Sequence, residues 1–354
     1  MASLGGACAG KGGEQAADLG TMPSDLSGAL PDQGAGGRDL GPAADGAVSA
    51  GCRGDEAPGR TYKLATRSLL LPTQARAFAV DLDGDGRPDN QLKNLLAVIA
   101  AAGLDLQGQL DLAVEAGQTV SLLQLRSVDT STSDCVGVML GLAQPSGPGA
   151  QPRYDGTDTF TVEGKLAPGS GRLSAGRFEM TPPRDQKAAD ETAVELRLTL
   201  SPGSVLTLPL RGAHIEGKLE RSGSVWVLRD GALHGAVSQK DVEQRLVPTI
   251  ADQVTMLINR DPASATAHVL IGLFESKTDP TSVAKCMVPA NCCRTSPGTC
   301  KILPAEVSAS AIGTLLAPDI EVLDDASRWQ PSAGGRAYDA LSVGLGIEAV
   351  TATF

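Results

Sequence analysis

Two adjacent stretches, "VLTLPLRGAHIEGKL" (205–219) and "SVWVLRDGALHGAV" (224–237), decide the fold class of this chain. In both, apolar residues alternate with polar ones and glycines punctuate the runs, which is the pattern of half-buried strands joined by tight turns. The same alternation recurs upstream in "DTFTVEGKL" (158–166), "GRFEM" (176–180) and "AVELRLTL" (193–200). The pattern from Gly156 to Leu228 is therefore almost entirely β.

The sequence around this block mixes strands with helices. "TYKLATRSLLL" (61–71) and "ARAFAV" (75–80) predict two strands, and "NQLKNLLAVIAAAG" (90–103) has the apolar spacing of a helix. "SQKDVEQRLVPTIADQVTMLIN" (238–259) predicts an amphipathic helix that Ser238 can cap, and "PASATAHVLIGLFES" (262–276) predicts another. We therefore expect an α+β fold, with a largely antiparallel sheet that carries a few packed helices.

The first 58 residues differ from the rest of the chain in composition. Residues 9–58 are dominated by Gly, Ala, Asp, Pro and Ser and contain hardly any large apolar residue. Such a segment cannot bury enough surface to offset its ordering entropy, so we predict a disordered tether. Residues 59–354 are then a single folded domain. The longest apolar run, Leu95 to Ala102, is too short to cross a bilayer.

The stretch "DLDGDGRPDN" (81–90) has the spacing of a calcium loop. Counted from Asp81, carboxylates stand at positions 1, 3, 5 and 9, glycine stands at position 6, and the Arg87 backbone carbonyl stands at position 7. Alternate residues of a loop that coils around an ion all face inward, and glycine at position 6 permits the sharp turn. The predicted metal ligands are Asp81, Asp83, Asp85, Arg87 and Asp89, and the predicted ion is calcium.

The loop departs from an EF-hand at two positions. Leu92 replaces the bidentate Glu of position 12, and Pro88 occupies position 8, where it cannot donate a backbone hydrogen bond. The loop resembles the solitary loops of thrombospondin type 3 and dockerin repeats. Its missing carboxylate would come from a distant residue, for which Asp105 and Asp111 are nearest in sequence, or from water. The alternative is an Asp-Gly turn that holds no ion.

Seven cysteines raise the question of the compartment. Four of them lie in a loop at 286–300 without a Cys-x-x-Cys pair or a nearby histidine, which favours disulfides over a zinc site. Because seven is an odd number, one cysteine is left outside the disulfides. The ending of "MASLGGAC" resembles the lipidation site of bacterial lipoproteins. We therefore predict residues 1–8 to be a signal-peptide remnant with lipidation at Cys8. The disulfide candidates are Cys52, Cys135, Cys286, Cys292, Cys293 and Cys300.

The remaining titratable residues give weaker signals. His214 and His234 lie in glycine-flanked strand sequence, which predicts a surface or turn-side position, and His268 is predicted to be a satisfied core histidine on a largely apolar helix. "PDIEVLDD" (318–325) could add ligands to a second cation site, although a solvated acidic turn is the preferred interpretation. The formal charge of −11, with Lys and Arg scattered singly, argues against nucleic acid as a partner.

As a whole, the chain resembles uncharacterised surface lipoproteins of Gram-negative bacteria. The resemblance rests on a low-complexity tether before the block Asp81 to Asn94, and on a closing strand of the type found at Asp339 to Gly346. It implies export to the cell envelope, either anchored to the outer membrane or secreted. We expect a calcium-binding surface protein with a structural or binding role toward an unknown surface ligand or protein. The alternatives are a secreted hydrolase with an unrecognised active site and a carrier of apolar ligands.

Overall fold

Nine strands are present in the described part of the chain, and every pair of neighbouring strands is antiparallel. The computed structural model describes residues 52–73, 75–101, 105–147, 149–181, 194–201, 204–323, 330 and 337–354. Cys8 and nearly all of the predicted tether lie outside these residues. The strands are β1 (Arg60–Leu70), β2 (Val120–Ser127), β3 (Ser133–Pro145), β4 (Phe160–Ser174), β5 (Arg177–Thr181), β6 (Val194–Ser201), β7 (Ser204–Ser222), β8 (Val225–Ser238) and β9 (Ala340–Thr351).

The sheet closes on itself. Its strand order is β5-β4-β3-β2-β1-β9-β8-β7-β6, and β5 also pairs with β7 through the register Arg177↔Lys218 to Glu179↔Glu216. Eight strands therefore form a closed antiparallel barrel, and β6 extends it as a hairpin with β7. The predicted α+β class with a largely antiparallel sheet is confirmed, whereas closure is a feature that the sequence pattern did not predict.

Helices occupy two parts of the chain, one between β1 and β2 and the other between β8 and β9. The bounds are α1 (Gln91–Ala101), α2 (Leu106–Glu115), α3 (Gln239–Asp241), α4 (Val247–Arg260), α5 (Ala265–Phe274), α6 (Pro280–Cys286), α7 (Pro304–Ala309) and α8 (Ala311–Leu315). Short 3-10 turns cover Gly54–Glu56 and Pro289–Asn291. No single helix among these is long and apolar enough to cross a membrane, and only α1 and α2 together, bent at 106°, reach the required length and composition.

The predicted helix at 238–259 forms, with one irregularity. The Ser238 hydroxyl accepts a hydrogen bond from the Asp241 amide and so caps α3 as predicted. A π-helical turn, Val242–Leu246, then joins α3 to α4, and the Val247 amide donates to Val242, five residues back. Pro248 at the start of α4 explains the irregularity, because proline lacks the N–H that would continue an α-helical ladder.

The buried residues form one large cluster and two small ones. The large cluster joins one face of the strands to the apolar faces of the helices. The two small clusters lie on the opposite face of the strands. One surrounds Leu122 and Phe160, and the other consists of Val80, Leu82, Ala236, Ile320, Val322, Leu323 and Ala340. Two patches of the second face are therefore covered by polypeptide rather than by solvent.

The packed domain includes residues that the sequence assigned to the tether. Cys52 and Ala57 are buried, and a disulfide joins Cys52 to Cys135 on β3. The Arg126 guanidinium also donates to the Asp55 carbonyl over 2.6 Å. Residues 52–58 thus belong to the domain, and the predicted boundary at residue 59 was wrong by seven residues. The predicted strand "ARAFAV" was also wrong, because only Val80 makes a β-bridge.

Candidate metal centre

The aspartate loop, residues 81–89, is closed at its base by a β-bridge between Val80 and Asp89, where the Asp89 amide donates to the Val80 carbonyl over 2.8 Å. Gly84 and Gly86 both have φ of 84°, and neither would meet another atom if a Cβ were added. Backbone conformation rather than space therefore favours glycine at these two positions, as the predicted sharp turn requires.

Three of the predicted ligands converge. Carboxylate oxygens of Asp81, Asp83 and Asp89 all lie within 4.8 Å of one another, and the first two side chains are almost fully buried. Asp85 is exposed and lies outside this group, and its carboxylate accepts a hydrogen bond from the Arg87 amide over 2.8 Å. The structure thus brings together three of the four predicted carboxylates, and the Arg87 backbone carbonyl stays a predicted ligand.

Backbone amides fix the direction of these carboxylates. The two oxygens of Asp81 accept from the amides of Gly84 (2.6 Å) and Gly86 (2.8 Å). One Asp83 oxygen accepts from the Asp85 amide over 3.1 Å, and one Asp89 oxygen accepts from the Leu82 amide over 2.7 Å. Each carboxylate oxygen has further lone pairs, so these bonds position the group and leave acceptor capacity for a cation.

A second acidic segment, residues 318–323, lies beside the loop. Its Asp319 carboxylate adds to the negative potential at both Asp83 and Asp89, and the Glu321 side chain is 1% exposed. The preferred interpretation of this segment as a solvated turn was therefore wrong for these two residues, while Asp324 and Asp325 lie outside the described residues. The position of the segment, more than 200 residues after the loop, gave no local signal of their proximity.

The two carboxylates that the sequence suggested as completing ligands have other partners on α2. The Asp105 side chain caps α2 by accepting from the Gly108 amide over 2.9 Å. The Asp111 side chain accepts from the Gln107 side-chain amide over 2.7 Å. The acidic segment, rather than α2, supplies the additional carboxylate, Asp319, whose charge acts on Asp83 and Asp89.

The cluster is electrostatically unfavourable without a cation. Burial, together with the charges of Asp83, Asp319 and Asp81, raises the pKa of Asp89 to about 7, although a hydrogen bond from the Leu82 amide opposes this shift. Burial also raises the pKa of Asp83 and that of Asp319 above the usual value. Within the described chain, none of Asp81, Asp83 and Asp89 forms an ion pair with Lys or Arg. The arrangement therefore favours a bound cation or protons.

The loop is fastened to β9 by polar contacts. The Asn90 side-chain amide donates to the Gly344 carbonyl over 3.0 Å, and its oxygen accepts from the Gly344 amide over 3.1 Å. The Gln91 amide donates to the Ser342 hydroxyl over 2.7 Å, and the Ser342 amide donates to the Asp319 carboxylate over 2.8 Å. Ser342 therefore links the start of α1 to the acidic segment.

The cysteine-rich loop contains two disulfides, Cys286–Cys292 and Cys293–Cys300. All six disulfide candidates are thus paired, which confirms the preference for disulfides. A Glu275 oxygen and the sulfurs of Cys286 and Cys292 also lie close together, but both sulfurs are used in the disulfide. They are therefore not thiolates that could hold a metal ion.

A buried ion network supports the cysteine-rich loop. The Lys285 ammonium contacts Glu275 (2.7 Å) and Glu306 (2.9 Å), and neither carboxylate side chain is exposed. Glu275 also accepts from the amides of Cys293 and Arg294, each over 2.9 Å. Burial would raise the pKa of Glu275, but Lys285 and the two amides lower it below its usual value. Glu275 therefore stays ionised and holds the loop by its backbone.

The histidine predictions were wrong. His214 and His234 are each 1% exposed, and their ring centroids lie 5.9 Å apart. His268, expected in the core, is exposed on α5. A surface depression of about 450 Å³ in the described residues is lined by Glu275, Lys277, Arg294 and Ser310 among others, without histidine. This lining is not the histidine–carboxylate cleft that the hydrolase alternative expects.

Comparisons of the chain with protein-family models, with curated proteins and with solved structures found no match.

Proposed function

We propose that this protein binds calcium in the aspartate loop and that the ion stabilises the attachment of the loop and the acidic segment to β9. The single observation that supports the proposal best is the convergence of Asp81, Asp83 and Asp89 within 4.8 Å, without a Lys or Arg partner among the described residues. A cation there would neutralise charges that otherwise repel one another inside a partly buried site.

The donor set suits calcium better than softer metals. All the converging atoms are carboxylate oxygens, which hard cations prefer, and neither histidine nor thiolate joins them. Calcium accepts six to eight oxygens in a flexible geometry, whereas magnesium demands a near-ideal octahedron and dehydrates reluctantly. A loop that supplies three carboxylates, with water and backbone carbonyls for the rest, therefore favours calcium. With so few charges we expect a dissociation constant of about 10⁻⁴ to 10⁻³ M, as in extracellular modules.

The proposed place of action is the cell envelope, where we propose that Cys8 carries a lipid anchor. Three disulfides support an oxidising compartment. A weak calcium site would also be filled there, because extracellular calcium is plentiful. We infer a structural or binding role at the surface, with calcium as a constant component of the fold rather than as a signal.

Calcium binding is tested by isothermal titration calorimetry on calcium-depleted protein. We expect saturable binding of calcium, weaker binding of magnesium, and loss of calcium binding in Asp89→Asn. This change removes a charge but leaves an oxygen that can accept from the Leu82 amide. The matched control is Asp155→Asn, because Asp155 is a half-exposed aspartate whose side chain likewise accepts a backbone hydrogen bond, from Thr157, at a distance of 3.0 Å. Equal heats of calcium binding in the wild type, Asp89→Asn and Asp155→Asn would exclude the aspartate loop as the calcium site.

Export is tested separately by mass spectrometry of the mature protein from its native host. We expect a chain that begins at a diacylated or triacylated Cys8. An unmodified chain that begins at Met1 would refute the anchor and would leave the calcium proposal untouched.

A further inference from the structure

The buried histidines occupy one row that crosses three neighbouring strands. His214 on β7 lies directly opposite His234 on β8, and His234 lies directly opposite Gly344 on β9. Residues that are directly opposite in antiparallel strands point to the same face of the sheet. The two imidazoles and the open side of Gly344 therefore share one face.

The segment that carries the aspartate loop lies on this row. We call residues 77–90 the cover segment. A Cβ at Gly344 would lie 1.8 Å from the Phe78 carbonyl oxygen, and a Cβ at Gly346 would lie 2.4 Å from the Phe78 ring. The cover segment can therefore approach β9 only because both residues are glycine. Phe78 itself has φ of 44°, an unfavourable conformation for a bulky residue, which attachment to the sheet must maintain.

The imidazoles have too few partners to tolerate a charge. Three of their buried nitrogens, both of His234 and the Nδ1 of His214, have no well-formed hydrogen bond. Burial and, to a smaller extent, the neighbouring His214 together lower the pKa of His234 to about 3, and the nearby Phe78 backbone only partly opposes this shift. Both rings are therefore neutral when the cover segment is attached.

Charged groups near His214 do not change this conclusion. Burial lowers the pKa of His214, against the opposing effects of Glu179 on β5, of Glu216 on β7 and of a hydrogen bond with the Met180 backbone. Both carboxylates already form ion pairs, Glu179 with Arg172 on β4 and Glu216 with Arg177 on β5. Their negative charge is thus largely compensated, and a proton on His214 would gain little from them.

We propose that the His214–His234 pair is an acid-sensitive latch for the cover segment. In water each imidazole takes a proton near pH 6.5, but two charged buried rings 5.9 Å apart, with His234 next to Phe78 of the cover segment, would lack solvation and repel each other. Acid therefore favours the state in which the cover segment has left the sheet and water reaches both rings. The consequence for calcium rests on the proposed function: a detached cover segment loses the geometry of its aspartate loop and releases the ion.

The direction of the pH effect separates this latch from the carboxylates of the loop. In calcium-depleted protein, protons on Asp83 and Asp89 relieve repulsion, so these groups attach the cover segment more firmly as the pH falls. The histidine pair has the opposite effect. Measuring the calcium-depleted protein thus tests the latch independently of calcium binding.

The experiment is hydrogen–deuterium exchange of calcium-depleted protein between pH 7.5 and pH 5.0, corrected for the intrinsic exchange rate. The reporter peptides cover residues 77–90, and residues 120–143 of β2 and β3 are the internal reference. For a solvent-exposed pKa of 6.5, one histidine raises the opening constant about 30-fold at pH 5.0, and both raise it about 1,000-fold. Because protons on Asp83 and Asp89 oppose this loss, we expect the opening constant of the wild type to rise by up to this factor relative to a variant that lacks both histidines, with a much smaller change in the reference.

Variants assign the effect to the pair. The double variant His214→Gln and His234→Gln should lose the acid-induced opening, whereas His268→Gln, at an exposed histidine, should open like the wild type. The same pH dependence of protection in the cover segment of the wild type and of the double variant would overturn the proposal, and so would an equal loss in the reference, which indicates global unfolding. If the double variant does not fold, His234→Gln alone replaces it in the comparison, and its opening constant at pH 5.0 should be about 30-fold lower than that of the wild type. Acid opening without calcium binding would reject the proposed function and retain the latch.

Discussion

Asp83→Asn should change the stability of the protein in opposite directions with and without calcium. Asp83 is buried beside Asp81, its pKa is raised mainly by burial, and it has no ion-pair partner in the described residues. A carboxyl whose folded pKa is raised makes the folded state less stable as the pH rises above its usual value of 3.8. At neutral pH and without calcium, the amide should therefore raise the melting temperature. Asparagine also keeps an oxygen that can accept from the Asp85 amide.

Calcium should reverse this order. Binding stabilises a fold by RT ln(1 + [L]/Kd), so 10 mM calcium gives about 1.4 kcal/mol for a Kd of 10⁻³ M and about 2.7 kcal/mol for 10⁻⁴ M. For a domain of this size, each kcal/mol raises the melting temperature by about 2–4 °C. The wild type should thus gain about 3–11 °C, and the variant should gain little.

The assay is a thermal melt followed by circular dichroism at pH 7.5, in chelator and in 10 mM calcium, with Asp155→Asn as the control for a change of one charge elsewhere. The melting temperatures of Asp83→Asn in chelator and in calcium should both lie between the two melting temperatures of the wild type. A calcium-induced shift of the same size in both proteins would refute our account of the site. A variant that melts lower than the wild type in chelator would refute the argument from carboxylate repulsion.

Three further changes test other parts of the structure. Lys285→Met removes the cation shared by the buried carboxylates of Glu275 and Glu306, leaves Glu275 only its longer contact to Arg294 (3.8 Å), and should cost about 3–5 kcal/mol in chemical denaturation, more than Glu306→Gln, which keeps the Lys285–Glu275 pair. Cys52→Ser opens a disulfide that spans 83 residues and should cost up to about 4–5 kcal/mol, because the unfolded chain gains loop entropy, and a loss below about 1 kcal/mol in the same assay would contradict this reasoning. His234→Gln should reduce the loss of stability at acid pH. The folded pKa of His234, about 3, lies below the unfolded value near 6.5, so the wild type loses about 1.4 kcal/mol per pH unit as the pH falls from 6.5 toward 3. An unchanged slope of the unfolding free energy against pH, measured in urea, would contradict this.

The strands were predictable from sequence, but the closure of the sheet was not. Alternation decides which residues of β7 point to which face, and it requires only that one face is buried. Closure depends on the pairing of β5 with β7, through residues such as Phe178 and Gly217 that are 39 positions apart. Nothing in the local pattern of "GRFEM" distinguishes a strand that closes a barrel from one at the edge of an open sheet.

The candidate site was predictable only as far as it is local. Asp81, Asp83 and Asp89 converge because loop spacing places them on one side, which the sequence shows. Asp319 reaches the loop through the fold alone, by its hydrogen bond to Ser342 on β9. The histidines were misassigned because neighbouring glycines suggested exposed turns, whereas Gly344, opposite His234 on β9, lets the Phe78 backbone lie against this row.

The covered face of β8 and β9 explains why both proposed properties belong to the same segment. The sheet there presents small residues, namely Ala236, Ser342, Gly344 and Gly346, so the cover segment packs against it with few large apolar side chains. Besides Phe78, Val80 and Leu82, its attachment relies on Asn90, on neutral imidazoles and on neutralised carboxylates, and the imidazoles and carboxylates respond to pH and to calcium. The main core has no such dependence, because it is almost entirely aliphatic. Removal of calcium, or acidification, should therefore loosen the cover segment first and leave the closed sheet intact.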